Sequence, residues 1–215
     1  MSDCLSCRAA GGCELASAPA DHYEMHVTVA SADVDAFRCA CAAIGVKPIL
    51  LDLHLSKGGV MKDLMTSSKF RGSYDEALAH LDGIASGLAG FGFNVVRKKL
   101  ETTPWNEEAK ARYVGYFESH LPVETTEEGA ETLREVAKQI RAHVSRNAFK
   151  AQGETMVLMT TIREHGFTAE AFATRVEEAA EALRAAGFTV GKVISEYAAY
   201  DTNISHDAAW TATAT

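Results

Sequence analysis

The sequence has no long apolar run and few basic residues, and each shortage argues against a class of protein. Its 215 residues contain no stretch close to the ~18 consecutive apolar residues of a membrane span. Lysine and arginine number 21 against 29 acidic residues, for a formal net charge of −8. A protein that coats nucleic acid needs basic side chains to displace phosphate counterions. We therefore expect neither a membrane nor a long nucleic acid among its partners.

Cysteine is also scarce, and its distribution argues against a disulfide framework. The five cysteines are an odd number, and all of them precede residue 42: Cys4, Cys7, Cys13, Cys39 and Cys41. Residues 1–20 are small or polar without periodicity, which is typical of a mobile tail. The first three cysteines also leave metal binding or redox use open, although a structural zinc site needs four ligands.

The beginning of the sequence indicates a compartment. A secretory signal has a basic start followed by an apolar run, and Asp3, Arg8 and Glu14 interrupt any such run here. We therefore expect a cytoplasmic protein.

The sequence repeats itself with an offset of about 94 residues. Glu24 and His26 recur as Glu118 and His120, and the Gly-Phe pair that begins at residue 92 recurs at residue 187. Similarity at a fixed offset indicates an internal duplication. The predicted organisation is a tail at 1–20, a first repeat at 21–106, a linker at 107–112, a second repeat at 113–204 and a tail at 205–215.

Hydrophobic periodicity predicts the same order of elements, β-α-β-β-α-β, in both repeats. The first strand, at 23–29, places Met25 on its apolar face and His26 on its polar face. Ser73, with Glu76 three residues later, indicates a capping box at the start of a helix. On the strand at 49–55, Asp52 and His54 would occupy the polar face.

This order predicts a fold class. A β-α-β-β-α-β unit folds most simply as a ferredoxin-like, four-stranded antiparallel sheet with both helices on one face. We therefore predict an α+β protein with two such sheets, produced by internal duplication. A duplicated vicinal-oxygen-chelate-like module is the alternative, and the long second helix of each repeat argues against it. Two similar units commonly face each other across a pseudo-twofold axis, which would direct both polar faces into one cleft.

Histidines recur on the predicted polar faces of both repeats. The candidate catalytic residues are His26, His54, His120 and His143. Imidazole titrates near neutral pH, so one histidine can act as a base while another acts as an acid. The plainer interpretation is that each antiparallel sheet keeps a polar, solvent-exposed face. Alternation alone is compatible with both interpretations.

A symmetric histidine pair suits displacement at phosphorus, because one imidazole deprotonates the nucleophile and the other protonates the leaving oxygen. The His-x-Ser/Thr spacing at His26, His54 and His143 resembles the paired motifs of the 2H phosphoesterases, whereas Pro122 breaks the pattern after His120. We therefore predict a small anionic, phosphorylated ligand and, as a hypothesis, phosphoester hydrolysis. The candidate ligand-binding residues are Ser56, Lys57, Ser145, Arg146, Glu101 and Glu196.

Two other functions remain open. Glu24 with His26, and Glu118 with His120, lie two residues apart on one strand face, a spacing that can chelate a divalent metal. A metal-dependent enzyme is therefore one alternative, and the cofactor is either a divalent metal or none. A non-enzymatic ligand-binding or protein-interaction module is the other, because fold alone carries no function. Homodimerisation is compatible with all of these functions.

Overall fold

The structure is a computed structural model that describes residues 21–55, 58–149 and 155–211. The first half of the described chain has the predicted order of elements. Its elements are β1 (His22–Val29), α1 (Val34–Ile44), β2 (Lys47–His54), β3 (Val60–Arg71), α2 (Tyr74–Gly90) and β4 (Val95–Thr102).

The second half differs from the prediction in three places: a short helix precedes it, its last strand is split, and a short helix follows it. Its elements are α3 (Glu107–Arg112), β5 (Tyr116–Thr125), α4 (Glu127–Gln139), β6 (His143–Asn147), β7 (Met156–Glu164), α5 (Ala169–Ala185), β8 (Thr189–Val190), β9 (Ile194–Asp201) and α6 (Ala208–Thr211). None of the helices formed by the described residues combines the length and apolar character that a membrane crossing requires.

Eight strands form one closed antiparallel barrel. The order around the barrel is β7-β6-β2-β3-β1-β4-β9-β5, and pairing of β5 with β7 closes it. The two-residue strand β8 pairs with β5 beside the barrel. The predicted duplicated, ferredoxin-like α+β architecture with two separate four-stranded sheets is therefore wrong.

The reason for the difference lies at the edges of the predicted sheets. An isolated four-stranded sheet leaves two rows of unpaired backbone N–H and C=O groups. Here β2 pairs with β6, as in Leu53 with Ser145, and β4 pairs with β9, as in Lys99 with Asp201. Pairing between the two halves satisfies these edges, and closure removes them.

The apolar core lies between the barrel wall and the helices. Alternation in β1 sends Met25 and Val27 outward, where both are fully buried with Phe37 of α1 and Leu81 of α2. Because successive strand residues point to opposite faces, the polar residues of β1 point into the barrel.

The predicted helix start at Ser73 is confirmed. The Ser73 hydroxyl accepts a hydrogen bond from the backbone N–H of Glu76, whose carboxylate accepts one from the backbone N–H of Ser73. In the first half, Asp33 caps α1 by accepting a hydrogen bond from the N–H of Ala36, at 2.7 Å. These caps anchor the helices that cover the barrel wall.

The segment that contains α6 lies against the barrel. The buried indole of Trp210 donates a hydrogen bond to the carbonyl of Val144 in β6, at 3.2 Å. The buried carboxylate of Asp207 accepts hydrogen bonds from Arg97 and Arg163. Both Asp207 and Trp210 also line the interior of the barrel. Residues 205–211 therefore contribute to the barrel, although their sequence gives no sign of it.

Candidate functional site

Inward side chains enclose a cavity of about 260 Å³ within the barrel. Its two sides differ in character. Strands β2, β3 and β7 supply an apolar arc, made of Ile49, Leu51, Leu53, Met65, Val157 and Met159, and β3 and β7 also contribute Asp63, Thr161 and Arg163 to the lining. Strands β1, β4, β9 and β5 supply a charged arc, made of Glu24, His26, Lys99, Glu101, Glu196, Glu118 and His120. The cavity therefore places titratable groups opposite an apolar surface.

Both ring nitrogens of His26 have a hydrogen-bond partner. Its Nδ1 lies 2.9 Å from the carbonyl oxygen of Thr66, and its Nε2 lies 3.1 Å from a carboxylate oxygen of Glu101. Since both partners are acceptors, both ring nitrogens carry hydrogen and the ring is an imidazolium. Burial opposes this charge, but Glu101 and then Glu24 outweigh it and raise the pKa of His26 to about 9.

Lys99 connects the two halves of the charged arc. It pairs with His26 across β1 and β4, and its ammonium lies 2.7 Å from Glu101 and in direct contact with Glu118. Burial would raise the pKa of Glu101, but the charges of Lys99 and His26 lower it to about 2. Glu101 is therefore ionised, with two cationic partners.

His120 and Glu196 of the second half correspond to His26 and Glu101 of the first half. Their protonation states differ from those of the first pair. His120 Nδ1 lies 3.0 Å from the hydroxyl of Thr161, and its Nε2 lies 3.8 Å from the carboxyl of Glu196. Burial lowers the pKa of His120. Burial also raises the pKa of Glu196, and the carboxylates of Glu101 and Glu24 raise it further, to about 8. At neutral pH this half therefore holds a neutral imidazole and a protonated carboxyl group.

The arginines that line the cavity are already paired. Arg163 donates to Glu118 at 2.8 Å and to Asp207 at 2.9 Å. Arg97 donates to Asp207 at 3.2 Å and, through Nε, to Asp201 at 3.0 Å. Paired guanidinium groups are satisfied donors, so an anionic ligand would have to compete with these carboxylates.

The four predicted catalytic histidines are separated into two pairs. His26 and His120 share the barrel cavity, with the predicted residues Glu24, Glu101, Glu118 and Glu196. His54 and His143 line a separate cavity of about 390 Å³ with Trp210, whose ring centroid lies 5.3 Å from that of His143. Burial lowers the pKa of both His54 and His143.

The predicted polar face of β2 is reversed. Leu51 and Leu53 line the barrel cavity, whereas Asp52 lies on the opposite face and pairs with Arg146 at 2.6 Å. The inward side chains of this strand are therefore apolar, and they form part of the apolar arc. His54 is consequently excluded from the barrel cavity.

The remaining predicted positions are distributed as follows. Ser145 lines the barrel cavity, while Ser56 and Lys57 lie outside the described residues. Cys4, Cys7 and Cys13 also lie outside them. Cys39 is exposed and Cys41 is buried, and both are free thiols.

One set of side chains could hold a divalent metal. Within the described residues, Glu101, Glu118 and His120 bring potential ligand atoms within 4.8 Å of one another. The ammonium of Lys99 already contacts both of these carboxylates. A metal ion would have to displace that ammonium, so the ligand set suits a metal less well than its composition indicates.

Sequence reasoning missed Lys99, Ile194 and Asp207. Lys99 lies two residues before Glu101 and therefore on the same strand face, and Ile194 has the same relation to Glu196. Alternation could have identified both of these residues. Nothing in the sequence around Asp207 indicates that it points into a barrel.

No protein-family model matches the sequence, and no curated protein is similar enough to count as a relative. Among solved structures, the chain is similar to the acetolactate synthase small subunit from Thermotoga maritima, with 13% identity and a TM-score of 0.27 over 82% of this chain and 96% of that one. It is also similar to an unknown protein from Galdieria sulphuraria, with 16% identity and a TM-score of 0.24 over 82% of this chain and 98% of that one. TM-scores this low support no conclusion about fold or function.

Proposed function

We propose that the protein binds a small molecule with an apolar body and a cationic amine head inside the barrel. The amine would contact Glu196 beside His120, and the body would pack on the apolar arc. The cavity of about 260 Å³ is slightly smaller than the roughly 300–1,000 Å³ of typical ligand pockets, so the body is short.

The environment of Glu196 is the observation that carries this proposal. Among the described residues, the one basic side chain within 4 Å of Glu196 is His120, at 3.8 Å, and that imidazole is neutral, whereas the counterpart Glu101 contacts both the charged His26 and Lys99. An ionised carboxylate that is buried without a cationic partner is costly. An ammonium group from a ligand would supply that partner.

The apolar arc supports the part of the proposal that concerns the apolar body of the ligand. Val157 on this arc is 45% exposed, and Ile194 on the neighbouring charged side is 48% exposed, although both line the cavity. Such side chains gain about 25 cal/mol for each Å² of apolar surface that a ligand covers. An apolar ligand body is therefore stabilised at the same site as the amine.

Binding of four compounds with the same branched alkyl chain tests the proposal. These compounds are isoamylamine, isoamyl alcohol, 4-methylpentanoate and isoamyl phosphate, and isothermal titration calorimetry at pH 7 measures their affinities. We expect isoamylamine to bind at least about tenfold more tightly than the others, because a hydrogen bond to a charged group contributes ~1.5–3 kcal/mol. Equal affinities, or no binding of the amine, would overturn the proposal.

Substitution of Glu196 separates specific from non-specific binding. An ammonium beside Glu196 favours its ionised form, so the wild type should release close to one proton for each amine bound at pH 7, measured in buffers of different ionisation enthalpy. Glu196→Gln should abolish this release and weaken amine binding at least about tenfold. Glu181→Gln, at an exposed position on α5, is the matched control and should change neither quantity.

Phosphoester hydrolysis is the second candidate function. It is favoured by one observation, the presence of a charged His26 and a neutral His120 in the same cavity, as an acid and a base require. Turnover of a phosphodiester panel by the wild type, lost in both His26→Ala and His120→Ala, would support it. Tight binding of isoamyl phosphate would support the anionic ligand that this function requires. A cytoplasmic location is part of either proposal and is testable by cell fractionation.

A further inference from the structure

A second cavity, of about 270 Å³, lies on the other side of the charged arc. This outer cavity shares Glu24, Glu101, Ile194 and Glu196 with the barrel cavity. Glu196, where we place the amine, is therefore at the junction of the two cavities. A ligand bound there can extend in two directions, toward the apolar arc and into the outer cavity.

The outer cavity has two lysines that do not line the barrel cavity. Lys69 and Lys192 both line it. The side chain of Lys69 is 80% exposed and lies 4.0 Å from Glu24. Lys192 is exposed, and no carboxylate within the described residues lies at ion-pair distance from its ammonium. Among the described residues, Lys192 is therefore a lysine of the outer cavity that an anionic group of a ligand can pair with directly.

We infer that the ligand is an α-amino acid with an apolar side chain. Its ammonium contacts Glu196, its side chain packs on the apolar arc, and its carboxylate lies in the outer cavity near Lys69 and Lys192. An α-amino acid carries its ammonium, its side chain and its carboxylate on a single carbon atom, so one molecule can contact Glu196 and extend into both cavities. This inference rests on the proposed function and specifies the class of ligand.

Leucine and two compounds that each lack one of its charged groups test the inference. Isoamylamine is leucine without its carboxylate, and 4-methylpentanoate is leucine without its amine. We expect leucine to bind about tenfold more tightly than isoamylamine, and 4-methylpentanoate to bind most weakly. If isoamylamine binds as tightly as leucine, the inference is wrong and the proposed function stands. If neither leucine nor isoamylamine binds, both the inference and the proposed function are wrong.

Substitutions in the outer cavity provide an independent test. Lys69→Ala and Lys192→Ala should each weaken leucine binding several-fold and leave isoamylamine binding unchanged, because only leucine has a carboxylate. Lys47→Ala removes an exposed lysine from β2 and is the matched control for charge. Circular dichroism establishes that each variant is folded. Equal effects on leucine and isoamylamine would overturn the assignment of the carboxylate to the outer cavity.

Discussion

Ile194 pairs with His120 across β5 and β9, at the position where the other half of the barrel pairs Lys99 with His26. Lys99 gives Glu101 a cationic partner, and the pKa of Glu101 falls to about 2. Ile194 provides no such charge, and burial with neighbouring carboxylates raises the pKa of Glu196 to about 8. One difference between equivalent positions therefore contributes to the opposite protonation states of the two carboxyl groups.

Ile194→Lys should give Glu196 a lysine neighbour equivalent to the one that Lys99 provides for Glu101. The new ammonium would lie on the same strand face as Glu196, lower the pKa of that carboxyl and occupy the place of the ligand amine. We expect the affinity for isoamylamine to fall at least about tenfold. Calorimetry measures the affinity, and ¹³C NMR measures the titration of Glu196. Ile194→Met keeps the site apolar and should retain binding, and undiminished amine binding by Ile194→Lys would show that the head group binds elsewhere.

Ionisation of Glu196 should lower the free energy of unfolding as the pH rises. Its folded pKa of about 8 exceeds the ~4.3 of an unfolded glutamate, so the folded state holds the proton more tightly. This contribution to stability is complete below the unfolded pKa and is lost as pH rises through the folded pKa.

Glu196→Gln cannot ionise and should escape this loss. Relative to the wild type, its free energy of unfolding should increase between pH 5 and pH 9 by about 1 kcal/mol or more. Urea denaturation at several pH values measures the difference. Parallel pH profiles for the two proteins would show that Glu196 is not held protonated in the folded state.

Asp207 should be far more important for stability than a surface aspartate. It accepts hydrogen bonds from Arg97 and Arg163, and all three side chains are almost fully buried. Asp207→Ala leaves two buried guanidinium groups short of a partner, which costs about 3–5 kcal/mol of unfolding free energy. Asp82→Ala removes the exposed pair with Lys98 and should cost less than about 1 kcal/mol. Similar losses in the two variants would contradict a structural role for α6 and its flanking residues.

Local sequence patterns predicted the elements because their causes are local. Alternation located β1, and the capping box located the start of α2. Alternation also placed His26 and His120 on polar faces away from the helices, and both line one cavity. Barrel closure could not be predicted in this way. It depends on pairing between distant residues, such as Leu53 with Ser145, and the sequence contains no local signal for such pairing.

The reversed face of β2 has a related cause. An apolar face indicates contact with other apolar groups, and a helix and the wall of a cavity satisfy that requirement equally well. The sequence therefore predicted that Leu51 and Leu53 pack against a helix, whereas in the structure they line the cavity. The placement of His54 was inferred from the same face and changed with it.

A larger side chain on the apolar arc should block the ligand without destabilising the fold. Val157 lines the cavity and is 45% exposed, so the larger side chain of Val157→Phe need not overpack the core. We expect the affinities for isoamylamine and leucine to fall together by at least about tenfold, while the free energy of unfolding stays within about 1 kcal/mol of wild type. Val114→Phe, at a position that is 92% exposed, is the matched control. If Val157→Phe binds both compounds normally, the ligand body does not lie on the apolar arc, because a phenyl ring there would occupy the same space.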